Sequence, residues 1–403
     1  MPPDPLRSLR LPDVLALQDP RPHLLVIAPC LADGGAEVLL LDILAELGQD
    51  WRITIVTTIS DQQPWWSKFA AITTDIVPLF GAFADDARQS LLDHLIATRG
   101  TRVVLSHGSA FAYGRFSGLK QRHPHLAVID ILHNDLPGGH IRGAVVASED
   151  IDVHLAISDR IARSLAGHGV PPERIVTIPN GVDIEAVFRP DRYERAQSLR
   201  ALGLPEAAPV LAWVGRLSEE KRPHQFLDIV ASLAATRPVT GLIVGDGRLA
   251  ASVDKAIRAR AVDIRRIAHI PREDIAQVYA AADFLVITSS IEGLPFVAIE
   301  ALACGCPVAA TDVGDLKLLV RHGETGFLAP PDRTDSLAEL ISSALDDPRG
   351  LARMRTAAHE QIAQSKFTRA RMTGAYRELL TRLHAERGGG CEPAAHVRVS
   401  TSG

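Results

Sequence analysis

Short runs rich in Val, Ile and Leu alternate with longer helical patterns almost from end to end of this 403-residue chain, and that alternation narrows its folding options more than any other feature. A chain of this kind stacks βαβ units, with parallel strands in a sheet covered by helices on both faces, so the fold class is α/β. The pattern predicts strands over Leu24–Ala28, Arg52–Thr57, Val103–Ser106, Val128–Leu132, Val153–Ile157 and Ile175–Ile178, with helices such as Ala36–Leu47 and Ser158–Ala166 between them. From Asp183 to Pro209 it lapses into charged, proline-bearing sequence, which reads as a linker and hinge. It then restarts with strands over Val210–Val214, Thr240–Val244, Ile264–His269, Phe284–Thr288 and Val308–Ala310, and ends in helical patterns at Leu337–Ala344 and Thr368–Arg387. With 46% hydrophobic residues, a chain this long has material for two cores.

The resulting division is an N-terminal extension (1–20), a first doubly wound domain (21–185), a linker (186–209), a second doubly wound domain (210–365), a helix at 366–387 long enough to pack back on the first domain, and a disordered tail (388–403). Open α/β sheets bind ligands outside the carboxyl ends of their strands, so two such domains facing each other are expected to share a cleft as the site.

Composition excludes several functions. A formal net charge of −5, with no run of Lys and Arg to follow a phosphate backbone, argues against nucleic acid as a partner. Cys30, Cys304, Cys306 and Cys391 are too few and too irregularly spaced for a disulfide framework or a zinc site, which fits a reducing compartment. Asp4, Asp13 and Asp19 interrupt the first twenty residues, so no signal peptide is expected there, and a cytoplasmic location follows.

Several segments carry chemistry. Ser289 to Glu300 (SSIEGLPFVAIE) follows a strand and opens a helix, with Pro295 suited to the first helical position. The N–H groups of Phe296 and Val297 would then point out of the helix start as an anion site, bracketed by Glu292 ahead and Glu300 a turn and a half further in. Val214 to Pro223 (VGRLSEEKRP) leaves another strand, and there Gly215 permits a tight exit while Arg216 and Lys221 can place a planar fork and a point charge around one diphosphate. Asp33-Gly34-Gly35-Ala36-Glu37 links the first strand to its helix, and its paired glycines allow close approach of a ligand without the full dinucleotide spacing. His133 and Asn134 end a strand. Asp150 and Asp152 imitate a metal pair but fall between a helix and a strand, where structural use is expected. Each segment taken alone reads equally as an ordinary turn with solvated charges.

Together with Ala156-Ile157-Ser158, Ile178 to Asp183 (IPNGVD) and Ala303 to Val308 (ACGCPV) through Gly326-Phe327, these segments, over residues 22 to 345, resemble the retaining GT-B glycosyltransferases of family four, the group 1 glycosyl transferases. The resemblance implies two Rossmann-like domains and transfer of a hexosyl unit, with retention, from a nucleotide diphosphate sugar to a glycan, lipid-linked or small-molecule acceptor. It implies polysaccharide or cell-envelope biosynthesis, a UDP-sugar donor by family frequency, no metal or other cofactor, and peripheral association with the inner face of the membrane where the acceptor is lipid-linked. By the same resemblance Arg216 and Lys221 would bind the diphosphate, Glu300 the ribose, and Glu292 the donor sugar. Gly215, Gly293, Leu294, Phe296 and Val297 would line the donor. Gly34 and Gly35 would border the phosphate and acceptor, and His133 would reach the transferred sugar. Two departures stand out: Pro295 replaces a common glycine and removes a backbone donor, and Ile267-Ala268-His269-Ile270-Pro271 replaces a glycine-containing stretch before the base-contacting loop. A sugar-nucleotide epimerase, a glycan phosphorylase and a non-catalytic nucleotide-sugar-binding protein are the alternatives, since fold does not fix function.

Overall fold

The computed structural model describes residues 19–32, 34–59, 63–79, 85–134 and 140–388. Nearly all of the expected N-terminal extension, the tail with Cys391, and Asp33 lie outside the described residues. The chain forms two compact units: the first comprises the residues up to Ala156, Ile161–Thr177 and those from Thr373 onward, the second Ile157–Arg160 and Ile178–Met372.

The first unit holds a seven-stranded sheet of order β3-β2-β1-β4-β5-β6-β7. Its strands are β1 (His23–Ala28), β2 (Arg52–Thr57), β3 (Ile76–Pro78), β4 (Val103–Ser106), β5 (Ala127–Leu132), β6 (Val153–Ala156) and β7 (Ile175–Thr177), and all pair in parallel. The second unit holds a six-stranded parallel sheet of order β10-β9-β8-β11-β12-β13. Its strands are β8 (Val210–Val214), β9 (Thr240–Val244), β10 (Asp263–Ile267), β11 (Phe284–Ile287), β12 (Val308–Thr311) and β13 (Gly326–Ala329).

Strands buried on both faces read as unbroken apolar runs because each alternate side chain enters a different core. In β8, Val210 and Ala212 join one apolar cluster while Leu211 and Trp213 join another. Two strands escape the sequence reading. β3 is only three residues long, and β13 opens on Gly326, where a Cβ would lie 2.0 Å from the Val308 carbonyl oxygen. In each sheet the winding reverses direction once, between β1 and β4 and between β8 and β11. The strands diverge there and leave a crevice at their carboxyl ends.

The expected linker at 186–209 is corrected. This stretch contains the helix Arg195–Ala201, and Phe188, Leu199, Leu202 and Leu204 are buried in the core of the second unit. Its charges are paired there: Arg195 donates to Asp283 at 2.7 Å and to the Ala281 carbonyl at 2.6 Å, while Arg355 and the Val210 N–H hold the same Asp283 at 2.8 Å each. The chain passes from the first unit to the second at Thr177/Ile178 instead, and returns at Met372/Thr373.

Beyond Thr177 the chain is held by backbone contacts. Val182 bridges Thr368, and a Cβ on Gly181 would sit 2.3 Å from the Thr368 carbonyl oxygen. The helix Arg369–Glu386 follows, and its later part lies in the first unit, where Arg377 pairs with Glu46 at 2.7 Å. Arg387 pairs with Asp152 at 2.6 Å, and Asp152 also takes Lys120 at 2.5 Å and the Val128 N–H at 2.7 Å, so this carboxylate is committed structurally.

Two glycine substitutions should therefore move stability in opposite directions. Gly181→Ala must displace backbone and is expected to cost about 1–3 kcal/mol. Gly374→Ala, inside the last helix with open space around it, is expected to gain about 0.5–1 kcal/mol. Thermal denaturation of both variants checks the pair.

Candidate active site

In the second unit the site is built where β8 and β11 part. β8 leaves through Gly215, at φ 157°, and β9 through Gly245, where a Cβ would fall 1.9 Å from the Gly215 carbonyl oxygen. Only glycine lets these two exits pack backbone to backbone. After a short 3-10 turn at Glu219–Lys221, Arg222 takes a left-handed conformation (φ 49°) immediately before the helix Pro223–Ala234. The neighbouring strand exit holds that strained corner. The Thr288 hydroxyl lies 2.9 Å from the carbonyls of both Lys221 and Arg222, and it accepts the Trp213 indole N–H at 3.1 Å. The Ser290 N–H donates to the Glu220 carbonyl at 2.8 Å.

This stitching brings Lys221 and Glu292 together. The ammonium donates to both Glu292 carboxylate oxygens, at 2.7 and 2.8 Å, and the Ser289 hydroxyl donates to Oε1 at 2.5 Å. Glu292 is only 7% exposed. Its loop is fixed from behind. Gly314 (φ 62°) passes so close that a Cβ would lie 2.2 Å from the Glu292 carbonyl oxygen, the Gly293 carbonyl accepts the Asp315 N–H at 3.0 Å, and the buried Leu294 offers its carbonyl to Asn180 Nδ2 at 3.0 Å.

The helix then starts at Phe296, with Pro295 one position earlier than expected, as the N-cap. The reason is its extended ψ of 126°, and its carbonyl accepts the Ala298 N–H at 3.2 Å. Phe296 and Val297, as the first helical residues, have no acceptor within the helix for their N–H groups. One turn on, the buried Tyr279 hydroxyl donates to Glu300 Oε2 at 2.7 Å, and burial together with that carboxylate holds the phenol well above its usual range. Arg216 is exposed, and among the described residues its side chain makes no hydrogen bond or ion pair.

A separate group forms in the first unit, where β1 and β4 part. Gly34 is the N-cap of the helix Gly35–Leu47, extended at φ −166°, and its carbonyl accepts the Val38 N–H at 3.0 Å. His107 follows β4, and its N–H continues the ladder to the Ile27 carbonyl at 2.9 Å. Its Nδ1 lies 3.2 Å from Nε2 of His133, with the two rings edge to face at 4.4 Å. His140 opens the next helix, its ring against Gly108 (φ 61°), where a Cβ would lie 3.1 Å from the ring. Burial, then the neighbouring rings, push His133 well below the usual imidazole range. Burial and His140 push His107 down to about 3. Below them Tyr113 donates to the fully buried Asp130 at 2.8 Å, and burial raises that carboxyl to about 7. His107 is a candidate site residue that the sequence reading missed. Its signal is a polar residue and a glycine immediately after a strand that neighbours β1. Among the described residues no cluster of His, Cys, Asp and Glu is arranged to hold a metal ion.

Two parallel doubly wound sheets of this order define the GT-B class. Solved structures of that fold cover most of the chain: the Anabaena protein HepE in complex with UDP has a TM-score of 0.76 at 21% identity over 89% of this chain and 100% of that one. The sucrose-phosphate synthase of Thermosynechococcus elongatus has a TM-score of 0.73 at 18% identity over 91% and 99%. The family model described as Glycosyl transferases group 1 matches residues 194–361, and that described as Glycosyltransferase Family 4 matches residues 33–186. The D-inositol 3-phosphate glycosyltransferase 1 of Catenulispora acidiphila is 30% identical over 68% of this chain and 72% of its own length. The D-inositol 3-phosphate glycosyltransferase of Thermobispora bispora is 36% identical over 53% of each chain, so this chain spans about half the length of that relative. The chain belongs to the group 1, family 4 glycosyl transferases.

Two outcomes follow from the charges described. Lys221→Met should destabilise the protein by about 1–3 kcal/mol or more, because it strands a buried carboxylate. Glu292→Gln should cost less, since Lys221 is partly exposed and can turn to water, and the double variant should recover part of the loss in a thermal double-mutant cycle. Asp130 has a folded-state pKa raised from 3.8 to about 7, so its stabilising contribution is complete below about pH 4 and is lost as pH rises through 7. The melting temperature of Asp130→Asn relative to wild type should accordingly climb between pH 4 and pH 7 and level off above.

Proposed function

We propose that the chain is a retaining hexosyltransferase that takes a sugar from a uridine diphosphate donor and passes it to a hydroxyl of an acceptor. The observation that carries this reading is the ion pair of the half-buried Lys221 with the buried Glu292, set at the strand exit that also bears Arg216, whose side chain has no partner among the described residues. An ammonium has three protons to give. Two are spent on Glu292, which fixes the third for a phosphate oxygen, while Glu292 turns its remaining acceptor capacity to sugar hydroxyls. Arg216 adds a planar fork for the same diphosphate, and the first N–H groups of the Phe296–Ala303 helix favour negative charge at its start. Glu300, oriented by Tyr279, accepts the ribose hydroxyls.

In the step itself the bond from the anomeric carbon to the diphosphate oxygen breaks with oxocarbenium character. The acceptor oxygen bonds to the same face, and the acceptor's proton passes to a leaving phosphate oxygen. Catalysis comes from stabilising the charge that grows on the leaving group, which fixed cations favour over the bound ground state. With Arg216 and Lys221 as diphosphate partners the reaction is metal-independent. The UDP bound to Anabaena HepE supports a UDP donor, and the likeness to D-inositol 3-phosphate glycosyltransferases supports a small hydroxylated acceptor such as an inositol phosphate, to be tried beside glycan and lipid-linked acceptors. Among the described residues no helix is long and apolar enough to cross a membrane. A cytoplasmic location, where nucleotide sugars are made, belongs to the same proposal.

Arg216→Ala should lower single-turnover transfer by about 100- to 1,000-fold at saturating donor while binding of the donor falls by less, and Arg216→Lys should restore only part. Transfer should survive EDTA. Full turnover by Arg216→Ala once it is saturated with donor would show that this residue serves ground-state binding alone. Loss of transfer on chelation, restored by a divalent ion, would remove the metal-independent reading.

A further inference from the structure

Three successive carbonyls of the loop that carries Glu292 are held from behind. The Glu292 carbonyl accepts from the Arg160 guanidinium at 3.4 Å, the Gly293 carbonyl from the Asp315 N–H at 3.0 Å, and the Leu294 carbonyl from Asn180 Nδ2 at 3.0 Å. The third differs from the other two. Pro295 follows Leu294, and a proline nitrogen carries no hydrogen, so the carbonyl is the one hydrogen-bonding group that the Leu294–Pro295 peptide has. Asn180 is 3% exposed, and because a carbonyl can only accept, its amide is oriented with Nδ2 toward Leu294. Main chain stands behind Asn180. It is the third residue of the segment by which the chain enters the second unit, and the residues after it pair with the segment by which the chain leaves. The Gly181 N–H lies 3.1 Å from Met372 Sδ, the Val182 N–H donates to the Phe367 carbonyl at 3.0 Å, and the Val182 carbonyl accepts the Arg369 N–H at 2.8 Å. Asp183 then pairs with Arg369 at 3.0 Å.

We propose that Asn180 is a positioning residue for the donor sugar: it ties the Leu294–Pro295 peptide to the paired entry and exit segments and thereby fixes where the loop presents Glu292. The role given to Glu292 rests on the function proposed above. Asn180 acts through the loop, since its amide is spent on the Leu294 carbonyl and its neighbours are spent on the exit segment. Its reach is local. The Glu292 carboxylate is gripped at its tip by Lys221 and Ser289, so the backbone two residues further on decides how that tip is aimed. With Asn180 in place the peptide plane is set before a ligand arrives, which is the condition for a contact that orients a substrate. Without it the plane loses its one polar anchor, and the sugar end of the site loosens while the ribose contact at Glu300, held by Tyr279, stays as it is.

The test has an exchange arm and a kinetic arm. In the ligand-free protein, amide hydrogen exchange over residues 292–297 should quicken in Asn180→Ala while the amides of β8 and β11 keep their protection. Turnover with a UDP-sugar should fall by about 10- to 100-fold, the scale on which a displacement of about 1 Å acts, and affinity for the UDP-sugar should fall while affinity for UDP holds. Asn180→Asp keeps the shape of the side chain but has a proton to donate only when its carboxyl is neutral, a form that burial against a carbonyl favours. Its turnover relative to wild type should therefore be highest at low pH and fall as the carboxyl ionises. Unchanged exchange over 292–297 in Asn180→Ala overturns the proposal. So does wild-type turnover in that variant, or an equal loss of affinity for UDP and UDP-sugar, or an Asn180→Asp variant impaired to the same degree at every pH. If the wild-type protein turns over no nucleotide sugar, the functional reading fails on its own, while the exchange arm still decides whether Asn180 holds the loop. Should Asn180→Ala fail to fold, Asn180→Asp gives the same exchange and kinetic comparisons between low and high pH.

Discussion

A parallel strand packed on both faces has no room for a free charge, and that constraint places everything else in this chain. Two titratable groups inside the first sheet are pushed toward neutrality: burial raises Asp130 in β5 to about 7 and lowers His154 in β6 to about 4. The same desolvation that costs a charge in mid-strand is relieved at the strand ends, where loops and helix starts supply partners. The ion pair of Lys221 and Glu292 and the histidine pair both sit at such ends, beside the two places where strand order reverses.

Holding those ends in place takes close backbone contact, which depends on residues with no side chain. A Cβ at Gly245 would overlap Gly215, one at Gly314 would overlap Glu292, and one at Gly247 would come within 2.6 Å of the Leu217 carbonyl oxygen. All three glycines have positive φ. The loop after β9 is thereby packed on that after β8, and the loop after β12 on that after β11, with the Ser290 N–H to Glu220 carbonyl bond joining the β11 and β8 exits, so the polar side chains there are held by packed main chain. Arg222, a non-glycine residue at positive φ, shows the same economy: the Thr288 hydroxyl secures its corner from the next strand exit.

Much of the architecture was legible because apolar runs and turn residues are local signals. The strands over Arg52–Thr57, Val103–Ser106, Val210–Val214 and Thr240–Val244 lie where the pattern puts them. β1 begins one residue earlier than its apolar run, at His23, whose buried ring is satisfied at 2.7 Å by both Thr101 and Thr54, a compensation no local pattern announces. The stretch at 186–209 misled for the same reason. Its arginines look solvated in sequence, but the carboxylate that neutralises Arg195 is Asp283, far along the chain. Lys221 and Glu292 were each visible, while their pairing across 71 positions was not. His107 was passed over because its meaning comes only from the strand beside it.

The pairing of Lys221 changes how the charges of the second unit are to be counted. Read from sequence, the β8 exit offers two cations; in the fold one of them is balanced by a carboxylate that is itself almost buried. A bare lysine and arginine side by side would repel each other and attract any anion, water-shed or not. A lysine already held at two points has little orientational freedom left to lose, so its third proton points in a fixed direction before a ligand arrives. That is the condition under which an electrostatic contact favours a developing charge over a resting one, since no reorganisation is left to be done when the charge appears. On the function proposed above, Glu292 aims the cation rather than cancelling it, and Arg216, which has no side-chain partner among the described residues, is the side chain at this exit that follows the ligand.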